Sequence, residues 1–195
     1  MSVIALGKSY PSIFARPVIK SVDSRIFSFR YFRDCMSCTF CKDQCCEHGV
    51  DIDAGNAEHV LGLGEAFEAY VGRPMAFWFT EEEGADSEFP SGRRRRTAVA
   101  DGYCVFHDRI RRGCKIHAWS LAHGLDHRRL KPLVSLLFPV TFEAGVLMPS
   151  NEILDGTLIC SGEGESLYAG ARDEIAYFFG RELVVALDGL AAHTP

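Results

Sequence analysis

Apolar positions recur along the chain in two rhythms, and these predict most of its elements. Phe27, Phe29 and Tyr31 alternate with Ser28 and Arg30, which predicts a half-buried strand leading into the first cysteines. From Asn56 to Val71, the residues Val60, Leu61, Phe67, Tyr70 and Val71 recur near the helical period. Asn56 is the expected cap, and Gly72 followed by Pro74 is the stop. Glu81 to Gly92 is acidic and then rich in Ser and Gly, and it reads as a flexible loop. Thr97 to His107 reads as extended with a turn at Asp101-Gly102. Cys114 to about Leu125 reads as a short helix with Ile116, Trp119, Leu121 and Leu125 on one face. Leu133 to Met148 holds two apolar runs around Glu143-Ala144-Gly145, a hairpin signal. Leu167, Ala171, Ile175, Phe178, Phe179 and Leu183 form an amphipathic stripe over Ser166 to Leu187, weakened by Gly170 and Gly180. No repeat or boundary interrupts the pattern. The expectation is α+β: a small single domain over 1–195, with short strands around a cysteine-ligated metal centre and helices at the periphery.

Composition narrows the function classes. The chain has 195 residues, 47% hydrophobic and 24% charged, with a formal net charge of −5. A chain of this length can bury a core without covalent staples, and no stretch approaches the ~20 apolar residues that span a bilayer. The N-terminus lacks a basic start followed by a sustained apolar run, so no signal peptide and no membrane partner are expected, and the location expected is cytoplasmic. The acidic balance argues against wholesale nucleic-acid binding. Charge is nevertheless blocked: residues 93–131 carry eleven Lys or Arg against three Asp, and residues 151–195 carry eight acids against two Arg. Arg93-Arg94-Arg95-Arg96 follows the acids Glu81, Glu82, Glu83, Asp86 and Glu88. It reads most simply as a surface segment that offsets them.

The 8 cysteines change the picture. In a reducing compartment they read as metal ligands or catalysts before disulfides. Cys35, Cys38, Cys41, Cys45 and Cys46 fall in a C-x2-C-x2-C-x3-C-C run. Two-residue gaps let both sulfurs of a turn converge on one metal, as in zinc and iron–sulfur sites. Thiolates this crowded repel or oxidise unless a cation holds them. In an extended segment the vicinal pair Cys45-Cys46 would point to opposite faces. That suits a polynuclear cluster, two ions, or one ligand beside a second-shell neighbour. Cys104, Cys114 and Cys160 lie downstream. A Cys–His nucleophile, with Cys104 or Cys114 near His107 or His117, has only sequence proximity behind it. Four thiolates on one zinc leave a net charge of about −2, which nearby Arg and Lys would offset.

The first four cysteines match the C-x2-C-x2-C-x3-C run of bacterial ferredoxins, with Cys46 where proline is usual. Cys35-Met36-Ser37-Cys38, the pair Cys45-Cys46, and the segments Cys104-Val105-Phe106 and Gly113-Cys114-Lys115-Ile116-His117 resemble the YkgJ-like cysteine-cluster proteins over about 35–160. That family is described as zinc- or iron-chelating and loosely as iron–sulfur oxidoreductases, and a flagellin lysine methylase carries a related cluster. The resemblance implies Cys38, Cys45, Cys46, Cys104 and Cys114 as metal ligands, joined by Cys35, Cys41 and Cys160. Ser135, after Lys131-Pro132, stands where the family places a cysteine. That leaves a coordination position open or filled by another cysteine such as Cys160. His117 and His48 are the histidines nearest the motifs, though a helix-start histidine bonded to backbone is the simpler reading of His117. The cofactor implied is an iron–sulfur cluster or zinc, with iron–sulfur favoured in the cell and zinc in protein isolated in air. The function expected is metal binding. The alternatives are a redox or protein-modifying enzyme built on an iron–sulfur centre, with an unknown protein substrate, and a metal-stabilised module presenting a basic surface to a partner.

Overall fold

The computed structural model describes residues 3–33, 38, 40–81 and 83–193. The fold is α+β, and its contacts gather into two compact units. One comprises Met1–Arg33 and Leu136–Pro195, the other Asp34–Ser135. Among the described residues, no helix is long and apolar enough to cross a membrane.

The first unit is built on a four-stranded sheet in the order Val3–Pro11, Val18–Asp23, Val146–Pro149, Val140–Glu143. The central pairing is parallel and the outer two are antiparallel. The hairpin read around Glu143-Ala144-Gly145 is present, and Ala144 (φ 50°) and Gly145 (φ 78°) supply the left-handed pair that a tight turn needs. The stripe read over Ser166 to Leu187 is also present, as two helices, Leu167–Phe179 and Arg181–Ala191, divided at Gly180. Leu167, Ala171, Ile175, Phe178, Phe179 and Leu183 are all buried. The Ser166 hydroxyl opens the first helix by accepting from the Ala169 amide at 3.1 Å.

Two local expectations fail here. Residues Arg25–Ser28 form a helical turn, and the strand is only Arg30–Tyr31, paired with Glu165–Ser166. The cause lies upstream: the Asp23 carboxylate accepts from the Arg25 amide at 3.0 Å and from its guanidinium, so a local side-chain bond overrides the alternation. Ile26 then takes the buried position. Leu133–Leu137, read as the first run of the hairpin, is a short helix.

The second unit centres on an aromatic core. Phe67 lies edge-on to Trp78 (centroids 5.3 Å apart) and stacks on Phe106 (6.2 Å), and the Trp78 indole donates to the Arg73 carbonyl at 2.9 Å. Ala54–Leu61 and Gly64–Val71 replace the single helix read over this stretch. Asp53, not Asn56, is the cap: its carboxylate accepts from the Asn56 amide at 3.2 Å, while the Asn56 side chain donates to the Leu130 carbonyl at 3.1 Å. Strand Arg93–Arg96 sits between Asp51–Asp53 and Gly84–Ala85, so part of the expected flexible loop is paired. The hairpin Val99–Ala100/Tyr103–Cys104 turns at Asp101-Gly102 as its residues predict, and Lys115–Ala122 is the expected helix. The arginine run is ion-paired within its own unit. Arg93 meets Glu83, Arg94 meets Asp51 and Asp86, Arg95 meets Glu58, and Arg96 meets Asp51.

In the first unit, the buried Tyr168 hydroxyl donates to Asp188 Oδ1 at 2.6 Å and Arg172 Nη2 to Oδ2 at 2.7 Å. Bonds from Arg172 and then Tyr168 push the Asp188 carboxyl down to about 2. A depressed carboxylate stabilises the fold above its ordinary titration range, and that contribution is lost as pH falls through the folded value. Tyr168→Phe is expected to cost about 1 kcal/mol at neutral pH, measured by urea unfolding. Between about pH 4 and pH 2, stability should fall less steeply in Asp188→Asn than in wild type; equal slopes would mean the pair contributes nothing.

Candidate metal centre

The cysteine loop has an unusual backbone. Lys42 (φ 51°) and Asp43 (φ 60°) are consecutive left-handed residues, neither of them glycine. Each such residue costs on the order of 1–3 kcal/mol and persists only where its surroundings over-determine it. The 3-10 turn Gln44–Cys46 follows at once, closed by bonds from the Cys46 amide to the Asp43 carbonyl (2.8 Å) and from the Glu47 amide to the Gln44 carbonyl (3.1 Å). Cys45 and Cys46 are both half-buried on this turn. The vicinal pair is thus not extended. On a 3-10 turn its side chains diverge by roughly a third of a revolution rather than pointing to opposite faces.

The Asp43 carboxylate fixes the loop. Arg112 Nε donates to Oδ1 at 3.1 Å and to Oδ2 at 3.2 Å, and Nη2 donates to Oδ1 at 2.5 Å. From the other side, His107 Nε2 donates to Oδ2 at 2.9 Å. Burial pushes this carboxyl up, but the bonds from Arg112 and His107 more than offset it and hold it below the ordinary carboxylate range. The His107 ring stacks on Tyr103 (centroids 4.7 Å apart), whose hydroxyl donates to the Lys42 carbonyl at 3.2 Å. His107 Nδ1 is buried, with no hydrogen-bond partner among the described residues. With Nε2 given to Asp43, the geometry offers no support for His107 as the base of a Cys–His pair.

The sulfurs of Cys38 and Cys41 lie within 4.8 Å of each other in the second unit, and both residues are buried; Cys160, in the first unit, is buried as well. Sulfurs at adjacent corners of a tetrahedral zinc site sit about 3.8 Å apart, so this spacing and this soft, anionic-capable donor pair fit a thiophilic metal ion. Arg112 Nη2 also donates to Cys41 Sγ at 3.3 Å, which places a cation beside the sulfurs.

The other candidates make contacts of their own. Cys104 donates to the Thr97 hydroxyl at 3.4 Å; burial pushes its thiol up, and nearby Cys114 adds to the rise. Cys114 bridges His107 through the backbone at the start of the Lys115–Ala122 helix. Cys35 falls outside the described residues. His117 stacks on His127 with centroids 4.3 Å apart, the His48 carbonyl accepts from Arg96, and His123 stacks on Trp119. Ser135 is half-buried in the Leu133–Leu137 helix. Sequence reasoning missed Asp43 and Arg112 as parts of the site. The one available signal was an acid enclosed by the cysteine run, opposite an arginine two residues before Cys114.

Gly49 (φ +66°) ends the loop where the Val50 amide bonds the Thr97 hydroxyl at 2.8 Å, and a Cβ there would meet the Thr97 carbonyl oxygen at 2.5 Å. Gly92 has a similar φ (+73°), and no described residue beyond its chain neighbours comes within 4 Å of an added Cβ. Both alanine variants carry the left-handed penalty of about 1–2 kcal/mol, so Gly49→Ala should unfold at clearly lower urea than Gly92→Ala; equal midpoints would mean the close approach is unimportant. No family model matches the chain, and no curated protein or solved structure matches it.

Proposed function

We propose that this is a metal-binding protein whose clustered cysteines hold zinc or an iron–sulfur cluster. The observation that carries the reading is the buried close approach of the Cys38 and Cys41 thiols within the second unit. Buried thiolates so close together repel one another, and a metal ion converts that repulsion into coordination. Cys45 and Cys46, on the turn that follows, are the nearest further donors in sequence. The likeness of the cysteine spacing to YkgJ-like proteins points the same way, as does the ferredoxin-like run for iron–sulfur. Reduced thiols in these roles suit the cytoplasm. A bound metal would supply Lewis acidity or, as iron–sulfur, one-electron chemistry. The arginine run, already engaged with acids of its own unit, lends no support to a basic docking surface.

Anaerobic purification followed by elemental analysis and a visible spectrum tests the reading. Iron with sulfide and a brown colour is expected for a cluster, stoichiometric colourless zinc for the mononuclear case. The double variant Cys38→Ser/Cys41→Ser is expected to lose the metal and to melt at the lower temperature of the metal-stripped wild type. Wild-type protein free of metal, or a double variant with full metal and unchanged melting, would overturn it.

A further inference from the structure

We infer that Arg112 is the positioning residue of the metal centre: its guanidinium, shared between the Asp43 carboxylate and the Cys41 sulfur, sets that sulfur in place for the metal. This rests on the metal-binding reading above and adds to it a residue outside the cysteines.

Three observations converge on this side chain. First, the guanidinium is divided between two acceptors, with Nε and Nη2 on Asp43 and Nη2 also on Cys41 Sγ. A planar fork can serve a carboxylate and a neighbouring sulfur at once, whereas a lysine ammonium is a point charge on a flexible stem. Second, Asp43 is not itself a free donor to metal, because Arg112 occupies both its oxygens and His107 adds to Oδ2. It therefore acts on the metal through the loop that carries Cys41, two residues away. Third, the backbone that presents Arg112 is as constrained as the loop it grips. Arg112 (φ 66°) and Gly113 (φ 77°) are both left-handed. Asp108 pins their turn by accepting from the Ile110 and Arg111 amides, each at 2.9 Å, while its own amide donates to the Gly113 carbonyl at 3.0 Å. Two strained turns thus face each other through one ion pair.

The charge arithmetic gives the pair a purpose beyond structure. Three thiolates on a divalent ion carry a net charge of about −1, and a fourth takes it to about −2. A guanidinium hydrogen-bonded to one of those sulfurs offsets the excess and orients the sulfur lone pairs. Partners of this kind typically contribute 10–100-fold to metal affinity.

The test is a double-mutant cycle read by cobalt(II) titration, following the thiolate-to-cobalt absorption, and by zinc competition against a chromophoric chelator. Arg112→Gln is expected to weaken both metals about 10–100-fold and to shift the cobalt band. Arg93→Gln, whose guanidinium pairs with Glu83 at the surface of the same unit, is the control and should change neither. The decisive arm is Cys41→Ser, in which the Arg112→Gln effect should largely vanish. An Arg112 effect of the same size in both backgrounds would mean that the residue acts through general stability, and would overturn the inference. So would unchanged affinity in Arg112→Gln. Should Arg112→Gln fail to fold by circular dichroism, Arg112→Lys, which keeps the charge but loses the fork, runs through the same cycle with the same two outcomes. Wild-type protein that binds neither metal defeats the metal-binding reading itself, a result distinct from either outcome of the cycle.

Discussion

The buried carboxylate of Asp43 bears the geometry of the second unit's cysteine loop. Its own backbone and that of Lys42 are left-handed, a conformation that L residues avoid, and the 3-10 turn carrying Cys45 and Cys46 starts from it. What keeps the loop in this shape is a charge pair with Arg112, a hydrogen bond from His107 and the Tyr103 hydroxyl on the Lys42 carbonyl. A buried carboxylate stripped of its partners is severely destabilising, so these contacts act as a set. The strain of the loop and the desolvation of the charge are offset by the same few atoms.

The blocked charge of the sequence resolves into two different uses. Arg93–Arg96 form a strand whose side chains meet Glu83, Asp86, Asp51 and Glu58 at half-exposed positions, where each pair contributes a few tenths of a kcal/mol up to about 1. Arg112 belongs to the same basic stretch, yet its partner is only 7% exposed, and solvent does not screen that pair to the same degree. Sequence composition counts all these arginines alike. Burial of the partner separates the one that shapes a site from those that balance a surface.

What could be read from the sequence follows the range of the interaction responsible. The turns at Asp101-Gly102 and Ala144-Gly145 and the buried stripe from Leu167 to Leu183 depend on neighbours a few residues away, and each is legible. The segment Arg25–Ser28 misled because its alternation was real, while one carboxylate two residues earlier was worth more than the pattern. The helix cap moved from Asn56 to Asp53 for a similar reason, since both are capping residues and only the fold selects between them. The cysteine run announced a site, but Arg112 lies 69 residues from Asp43, and no period or motif links them.

The parallel pairing of Val18–Asp23 with Val146–Pro149 has a consequence for how the chain comes off the ribosome. Ser21 and Val22 wait for Val146 and Leu147, so the first unit's sheet stays open until more than a hundred further residues have been made. All of Asp34–Ser135 emerges in that interval with its contacts already within reach. Loop closure of that length slows the first unit's assembly, and in the meantime Val18–Asp23 presents an unpaired edge to the crowded cell.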